Sequence, residues 1–148
     1  MVERIVLIMK IRVMTADDYD SVAKLWTSSS GIGVNPDDSK ENISKYLQRN
    51  PATSFVAVEN GEIVGAILAG HDGYRGFIHH TAVSVSHRGI GIGTKLVNTA
   101  VDAIRNEGIN KVVLVAFKTN TLGNSFWEKQ GFAVREDLYY RDLRINNI

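Results

Sequence analysis

The sequence predicts a layered α/β (α+β) fold whose central sheet is mixed and mostly antiparallel, with six to seven strands and about four flanking helices. Strand and helix patterns follow the order β-α-α-β-β-β-α-β-α-β-β. Hairpin signals dominate the first half, and only the segment 77–117 has the pattern of a strand–helix–strand crossover. A single crossover argues against a doubly wound dinucleotide fold, which needs several.

The N-terminal elements are set by capping residues and by apolar spacing. The apolar run 5–9 is too short for a membrane span or a signal peptide, so residues 1–8 are expected to be an extension or an alternative start before a strand over 10–14. Thr15 is the expected N-cap of a helix that runs to about residue 28. The turn Asn35-Pro36-Asp37-Asp38 leads into a second helix, which ends before Pro51.

The remaining elements follow from hairpin signals and glycines. Strands over 54–59 and 62–69 are joined by Asn60-Gly61, a strong hairpin signal, and a fourth strand covers 77–84. An amphipathic pattern predicts a helix over 92–106 with Gly108 beyond its end. The continuous apolar run 111–117 indicates a strand buried on both faces. A short helix over 125–130, stopped by Gly131, precedes strands over 132–135 and 138–145.

Composition bounds the function. The 148 residues suit one domain over 1–148, and 44% hydrophobic content can fill one core. The net charge of +1 gives no general attraction to nucleic acid or to a membrane. The absence of cysteine excludes disulfides, thiolate metal sites and a cysteine acyl-enzyme, and it suits the cytoplasm. No metal site is expected, because the only paired histidines are adjacent and no carboxylate spacing completes a set.

The glycine-rich stretch 83–94 is the most informative segment. Gly89, Gly91 and Gly93 alternate between a strand and a helix, where the backbone can approach a ligand and unpaired amides at the helix start suit a diphosphate. The glycines can equally shape a tight turn and nothing more. The order Gly-Thr-Lys excludes a P-loop, and the spacing G-x-G-x-G differs from the G-x-G-x-x-G of dinucleotide sites.

Two motifs resemble one enzyme family. Arg88-Gly89-Ile90-Gly91-Ile92-Gly93 is similar to the R/Q-x-x-G-x-G/A motif of GNAT acetyltransferases. The downstream segment from Asn120 to Phe132 resembles the family's N…A…(F/L)YEK-x-GF segment. The element order also matches, so the resemblance covers nearly the whole chain. The sequence looks most similar to small members related to ribosomal-protein N-terminal acetyltransferases.

The resemblance implies a site for acetyl-CoA. The backbone of Val83, Ser84 and Val85 would pair with the pantetheine arm like an added strand. The amides from Arg88 to Thr94 would hold the diphosphate. Asn120, Asn124 and Trp127 would contact the cofactor from the other side, although asparagines are also common turn formers.

The expected reaction is direct attack of an amine on the thioester through a tetrahedral intermediate. Because an alkyl amine is mostly protonated at neutral pH, a base with a pKa near 7 is useful, and His79 or His80 can serve. Strand alternation places His79 with Thr81 and Val83 on one face and His80 on the other, barring a bulge.

The general acid is an open question in this sequence. The family's usual tyrosine is replaced by Trp127, whose indole N–H is no acid. Tyr139 or Tyr140 can supply the proton, or the thiolate leaves unaided.

The predicted function is therefore N-acetyl transfer from acetyl-CoA to a primary amine of a peptide, protein or small molecule. Recognition of the acceptor is expected from 26–36 and 71–75, where Asp37, Asp38 and Asp72 can attract a cation or merely be solvated. The alternatives are a catalytically weak acyl-CoA sensor and a nucleotide-binding module unrelated to CoA. A homodimer is compatible with the resemblance.

Overall fold

The computed structural model describes residues 9–29 and 32–147, so the expectation for residues 1–8 lies outside it. The chain divides into two compact units, the first ending at Val115 and the second beginning at Ala116. The single domain over 1–148 stays a prediction, and each unit is described by itself. The first unit contains β1 (Met9–Val13), α1 (Tyr19–Ser28), α2 (Lys40–Arg49), β2 (Phe55–Glu59), β3 (Glu62–His71), β4 (Gly76–Val83), α3 (Ile92–Asn106) and β5 (Val112–Leu114).

The sheet has five strands in the order β1-β2-β3-β4-β5. The first three pairings are antiparallel, and β4 pairs with β5 in parallel through the crossover helix α3. The predicted mixed, mostly antiparallel α/β arrangement is confirmed. The predicted number of six to seven strands is wrong for the described residues, which form five.

Helices cover both faces of this sheet. Trp26 and Val22 of α1 and Ile43 of α2 form one core cluster with Ala66 of β3. The next residue back, Gly65, faces α3, because a Cβ there would lie 3.1 Å from side-chain atoms of Ile92 and Leu96. Since successive strand residues point to opposite faces, α3 packs on the face opposite to α1 and α2. Gly65 lets the start of α3 approach the sheet closely.

The connection between α1 and α2 is fixed by a capping box. Asn35 and Asp38 exchange backbone and side-chain contacts around the short 3-10 turn Pro36–Asp38. The amide of Asn35 donates to Asp38 Oδ2 at 3.0 Å, and Asn35 Oδ1 accepts from the amide of Asp37 at 2.8 Å. Asp38 is thereby drawn into the protein, with 9% of its surface exposed.

The last strand of the first unit is shorter than predicted. β5 has three half-buried residues, whereas the apolar run suggested a longer strand buried on both faces. A strand's length is set by the ladder it makes, and β5 pairs with only Gly76, Phe77 and Ile78 of β4. The apolar composition of a segment therefore does not predict how many of its residues find a neighbouring strand to pair with.

The second unit contains one regular element, the helix α4 (Thr121–Lys129). Asn120 is its N-cap and accepts a hydrogen bond from the amide of Gly123 at 3.0 Å, so the helix begins four residues earlier than predicted. The segments 132–135 and 138–145, predicted as strands, form none in the described structure. The physical reason is that this unit, taken by itself, offers no neighbouring strand, and a strand needs a partner for its backbone groups.

Candidate active site

The glycine-rich turn between β4 and α3 depends on two left-handed residues. After Val83 the chain makes the short 3-10 turn Val85–His87, and Gly89 (φ +80°) and Gly91 (φ +91°) then bring it to the helix. Gly91 is the N-cap of α3. Side chains rarely adopt this backbone region, so glycine is strongly favoured at both positions. A Cβ at either would meet nothing within 4 Å, so both face open space.

The amides of this turn are available to a ligand. Among the described residues, none of the backbone N–H groups from Arg88 to Gly93 donates to a backbone acceptor, whereas the amide of Lys95 donates to Gly91 O. Ile90 is exposed at the top of the turn, whereas Ile92 is buried and anchors the helix start. Unpaired amides and the positive end of a helix favour an anion here. The residues fit a diphosphate.

One edge of β4 is open beside this turn. β4 pairs with β3 along its whole length, but its pairing with β5 stops at Ile78. From His79 to Val83, β4 therefore has no partner from β5. Within the first unit, the backbone on that edge thus lacks a neighbouring strand and can pair with an extended ligand, as a peptide-like arm requires. The carbonyl of Val83 accepts a hydrogen bond from Arg88 Nε at 3.1 Å, which ties the turn to the strand end.

Both histidines of β4 lie on the same face of the sheet. Leu68 pairs with His80 and Ala69 pairs with Ile78, so His79 is the extra residue of a β-bulge. The His80 ring contacts Trp26 of α1, and the His79 ring contacts Tyr46 of α2, and both helices cover the same face. The predicted placement on opposite faces is therefore wrong, because the bulge interrupts the alternation.

His80 is held by a carboxylate and a tryptophan. Its Nε2 lies 3.0 Å from Asp38 Oδ1, and both side chains are nearly buried. The rings of His80 and Trp26 are 4.8 Å apart at their centroids. Although burial of Asp38 works against its charge, the hydrogen bonds from His80 and from the amide of Asn35 hold the pKa of this carboxyl below its usual value.

His79 is exposed but has aromatic neighbours. Its ring lies 4.6 Å from that of Phe77 and 5.2 Å, edge to face, from that of Tyr46. Partial burial lowers the pKa of His79, the neighbouring His80 lowers it further, and Asp38 opposes them. His79 is therefore neutral at pH 7 and able to accept a proton. Burial also raises the pKa of Tyr46, whose hydroxyl has no hydrogen-bond partner among the described residues.

The second unit contains the other predicted site residues. Asn120 caps α4, and Asn124 Nδ2 donates to Phe117 O at 3.0 Å, so both asparagines have structural partners. Trp127 packs between Phe126 and Phe132. Tyr139 and Tyr140 are exposed by 90% and 69%. Their roles toward a cofactor stay predictions.

Two of the carboxylates proposed to attract a cation have other partners. Asp72 Oδ1 accepts from the amides of Tyr74 and Arg75, both at 2.8 Å, and these bonds lower the pKa of Asp72. Asp38 binds His80, a pairing that the sequence analysis missed. The only signal for it was the capping pattern at Asn35, which places Asp38 on the inner side of the turn. Trp26, expected to help recognise the acceptor, is instead buried in the core.

Residues 9–29 and 32–147 lack two further features. These residues contain no group of three or more histidine, cysteine, aspartate or glutamate side chains that could hold a metal ion. They also contain no helix long and apolar enough to cross a membrane.

Comparison with known proteins identifies the class. The model of the acetyltransferase (GNAT) family matches residues 19–132, and the chain belongs to this family. It is an acetyl-CoA-dependent N-acetyltransferase.

The similar proteins include curated enzymes and solved structures. The chain is 35% identical to N-alpha-acetyltransferase 30 of Schizosaccharomyces pombe over 112 residues, covering 69% of this chain and 75% of that protein. It is 31% identical to an acetyltransferase of Pectobacterium atrosepticum over 122 residues, covering 82% and 85%. The PaiA N-acetyltransferase of Thermoplasma acidophilum, solved with coenzyme A, matches with a TM-score of 0.76 at 19% identity, covering 86% of this chain and 91% of that one. These relatives do not favour the sensor alternative.

Proposed function

We propose that this enzyme acetylates a primary amine by direct attack, with the diphosphate of acetyl-CoA bound by the amides from Arg88 to Thr94. The observation that carries the proposal is the set of unpaired amides beside Gly89 and Gly91. The open edge of β4 from His79 to Val83 supports a strand-like arrangement of the pantetheine arm along Val83, Ser84 and Val85. A backbone N–H near Val83 is proposed to stabilise negative charge on the reacting carbonyl oxygen, worth about 3 kcal/mol in known oxyanion holes.

His79 is the proposed base. When bound, acetyl-CoA supplies an activated acetyl group, and the remaining requirement is an unprotonated amine. His79 is exposed, so an acceptor can reach it, and its lowered pKa keeps it neutral at pH 7. His80 is engaged through Nε2 with Asp38, and its ring packs against that of Trp26 at a tilt of 54°. His79 is therefore better placed than His80 to take a proton from the acceptor.

The remaining proposed roles are those of a general acid and of the cofactor contacts in the second unit. Tyr139 and Tyr140 are exposed phenols with protons to donate, and Trp127 has none. A thiol with a pKa near 8.5, by analogy with cysteine, also leaves without an acid. Asn120, Asn124 and Trp127 are proposed contacts with the cofactor. We also propose that the enzyme is located in the cytoplasm and forms a homodimer.

Peptides with a free α-amine are the first acceptors to test, because one relative is named an N-alpha-acetyltransferase. Thiol release from acetyl-CoA is measured with a peptide panel, lysine-containing peptides and small amines, and each peptide is matched by its Nα-blocked form. Release with free amines only is the expected result. In parallel, CoA at a thousandfold excess over Kd should stabilise the fold by about 4 kcal/mol. Stabilisation by ATP or NAD, but not by CoA, would refute the proposed cofactor site.

A further inference from the structure

The buried pair of Asp38 and His80 has no assigned part in acetyl transfer. Resting on the function proposed above, we propose that Asp38 and His80 are positioning residues, which act through the β4 bulge to hold His79 as a neutral, outward-facing base. Neither residue needs to touch the acceptor or the cofactor. Asp38 comes from the connection between α1 and α2, and His80 comes from the centre of the sheet, so the pair joins two separate parts of the fold.

Asp38 is itself fixed from three sides. One carboxylate oxygen accepts from the amide of Asn35 at 3.0 Å, and the other meets His80 Nε2 at 3.0 Å. The backbone carbonyl of Asp38 accepts a hydrogen bond from the Tyr19 hydroxyl at 2.8 Å. Because Asp38 is held by these three hydrogen bonds, its carboxylate cannot move along with the His80 ring if that ring rotates. The His80 ring is consequently confined between Asp38 and Trp26.

The bulge transmits this constraint to the next residue. His79 is the extra residue in the ladder, so its direction depends on the neighbouring paired residue, His80. Phe77 and Tyr46 then limit the His79 ring on two sides and leave the rest exposed. Fixing His80 therefore fixes the backbone from which His79 projects, and a displacement of about 1 Å at a reacting group can reduce a rate about a hundredfold.

The pair also sets the charge around His79. The titratable groups that face it are His80 on its own strand, Asp38 on the α1–α2 connection and Tyr46 on α2. Tyr46 stays neutral because its pKa is raised. Of these neighbours, His80 lowers the pKa of His79 more than Asp38 raises it. Loss of His80 alone would leave the opposing carboxylate in place, and His79 would then titrate at higher pH.

The test is the pH dependence of kcat/KM in three variants. His79→Gln should remove the acid limb and reduce kcat at least a hundredfold, as expected for a base. His80→Gln should keep the limb but move it upward, because the opposing Asp38 carboxylate stays in place. Asp38→Asn should lower kcat with the KM for acetyl-CoA unchanged, and Asp20→Asn, at an exposed position of α1, is the matched control. If His80 and Asp38 contributed to stability alone, the acid side of the kcat/KM profile would stay at the same pH in their variants.

A second readout keeps the inference separate from the proposed function. The imidazole protons of His79 are titrated by NMR in the wild-type protein and in His80→Gln, with His80→Phe as the substitute if the glutamine variant does not fold. An upward shift of the His79 midpoint is expected even if no acceptor is ever acetylated, in which case only the proposed function fails. An unmoved midpoint, or an acid limb that survives in His79→Gln and disappears in His80→Gln, overturns the inference.

Discussion

Gly91→Glu tests the diphosphate site at its centre. Gly91 has a left-handed backbone, so any side chain there costs about 1 kcal/mol in strain. A Cβ meets no atom within 4 Å, so no steric cost is added and the fold should survive. For 148 residues, with an unfolding entropy of roughly 2.1 cal/mol/K per residue, this strain lowers Tm by about 3 °C.

The effect on cofactor affinity should be much larger than the effect on stability. The glutamate places a negative charge among the amides that are proposed to hold two phosphate charges. Two charges at about 5 Å in fully aqueous surroundings repel a third by about 1.7 kcal/mol, which weakens binding roughly twentyfold, and a lower local dielectric increases this. The assay is calorimetric titration with CoA.

Gly73→Glu provides the matched control. Gly73 has almost the same dihedral (φ +93°) and equally open space, but it lies in the turn between β3 and β4. It should lose the same few degrees of Tm and retain CoA affinity. Equal losses of affinity in both variants, or none in Gly91→Glu, would refute the assignment of the amides.

Three further changes test the fold itself. Gly70→Ala should lower the free energy of unfolding by about 1–3 kcal/mol, measured by urea denaturation, since the new Cβ would lie 2.5 Å from the Tyr46 hydroxyl; an unchanged midpoint would contradict the packing. Asp18→Asn should cost about 1 kcal/mol at pH 7, because Asp18 receives two hydrogen bonds from Arg12, both at 2.8 Å. The hydrogen bonds from Arg12 lower the pKa of Asp18 in the folded protein. The stability lost in Asp18→Asn should therefore be full above pH 3.8, the pKa of the unfolded state, and should vanish as the pH falls through the lower pKa of the folded state. A stability difference between wild type and variant that persists at pH 2 would argue against this reasoning. Asn120→Ala should remove the α4 cap and reduce stability by about 1 kcal/mol in the same assay, whereas an unaffected α4 would show that the cap is dispensable.

Local signals predicted much of the first unit. The helix α3 was expected over 92–106, and its observed bounds are Ile92–Asn106. Its apolar stripe is long, and glycines mark both ends, with Gly108 in the left-handed region as expected beyond the helix. The hairpin at Asn60-Gly61 likewise has both turn residues at positive φ. Such features depend on neighbours in sequence, so the sequence predicts them well.

Features that depend on distant partners were not predictable in this way. The bulge at His79 depends on how β4 pairs with β3, and no residue pattern within β4 predicts it. The length of β5 and the missing strands after Gly131 also depend on which backbone groups find partners. The pairing of Asp38 with His80 joins residues 42 positions apart, beyond the reach of periodicity. His79 as the base therefore stays a prediction, and its surroundings could be described only from the fold.

The β4 bulge has a consequence for how the strand tolerates changes in length. On either side of His79 the ladder continues in regular register, from Gly76 to Ile78 and from His80 to Val83. The sheet has therefore absorbed one surplus residue locally, without turning the flanking apolar side chains the wrong way. Deleting His79 would restore an uninterrupted ladder with the flanking core intact, whereas deleting a residue elsewhere in β4 would reverse every side chain up to the next irregularity. His79 thus lies at the position of β4 where a residue can be inserted or deleted without changing the pairing of the flanking residues.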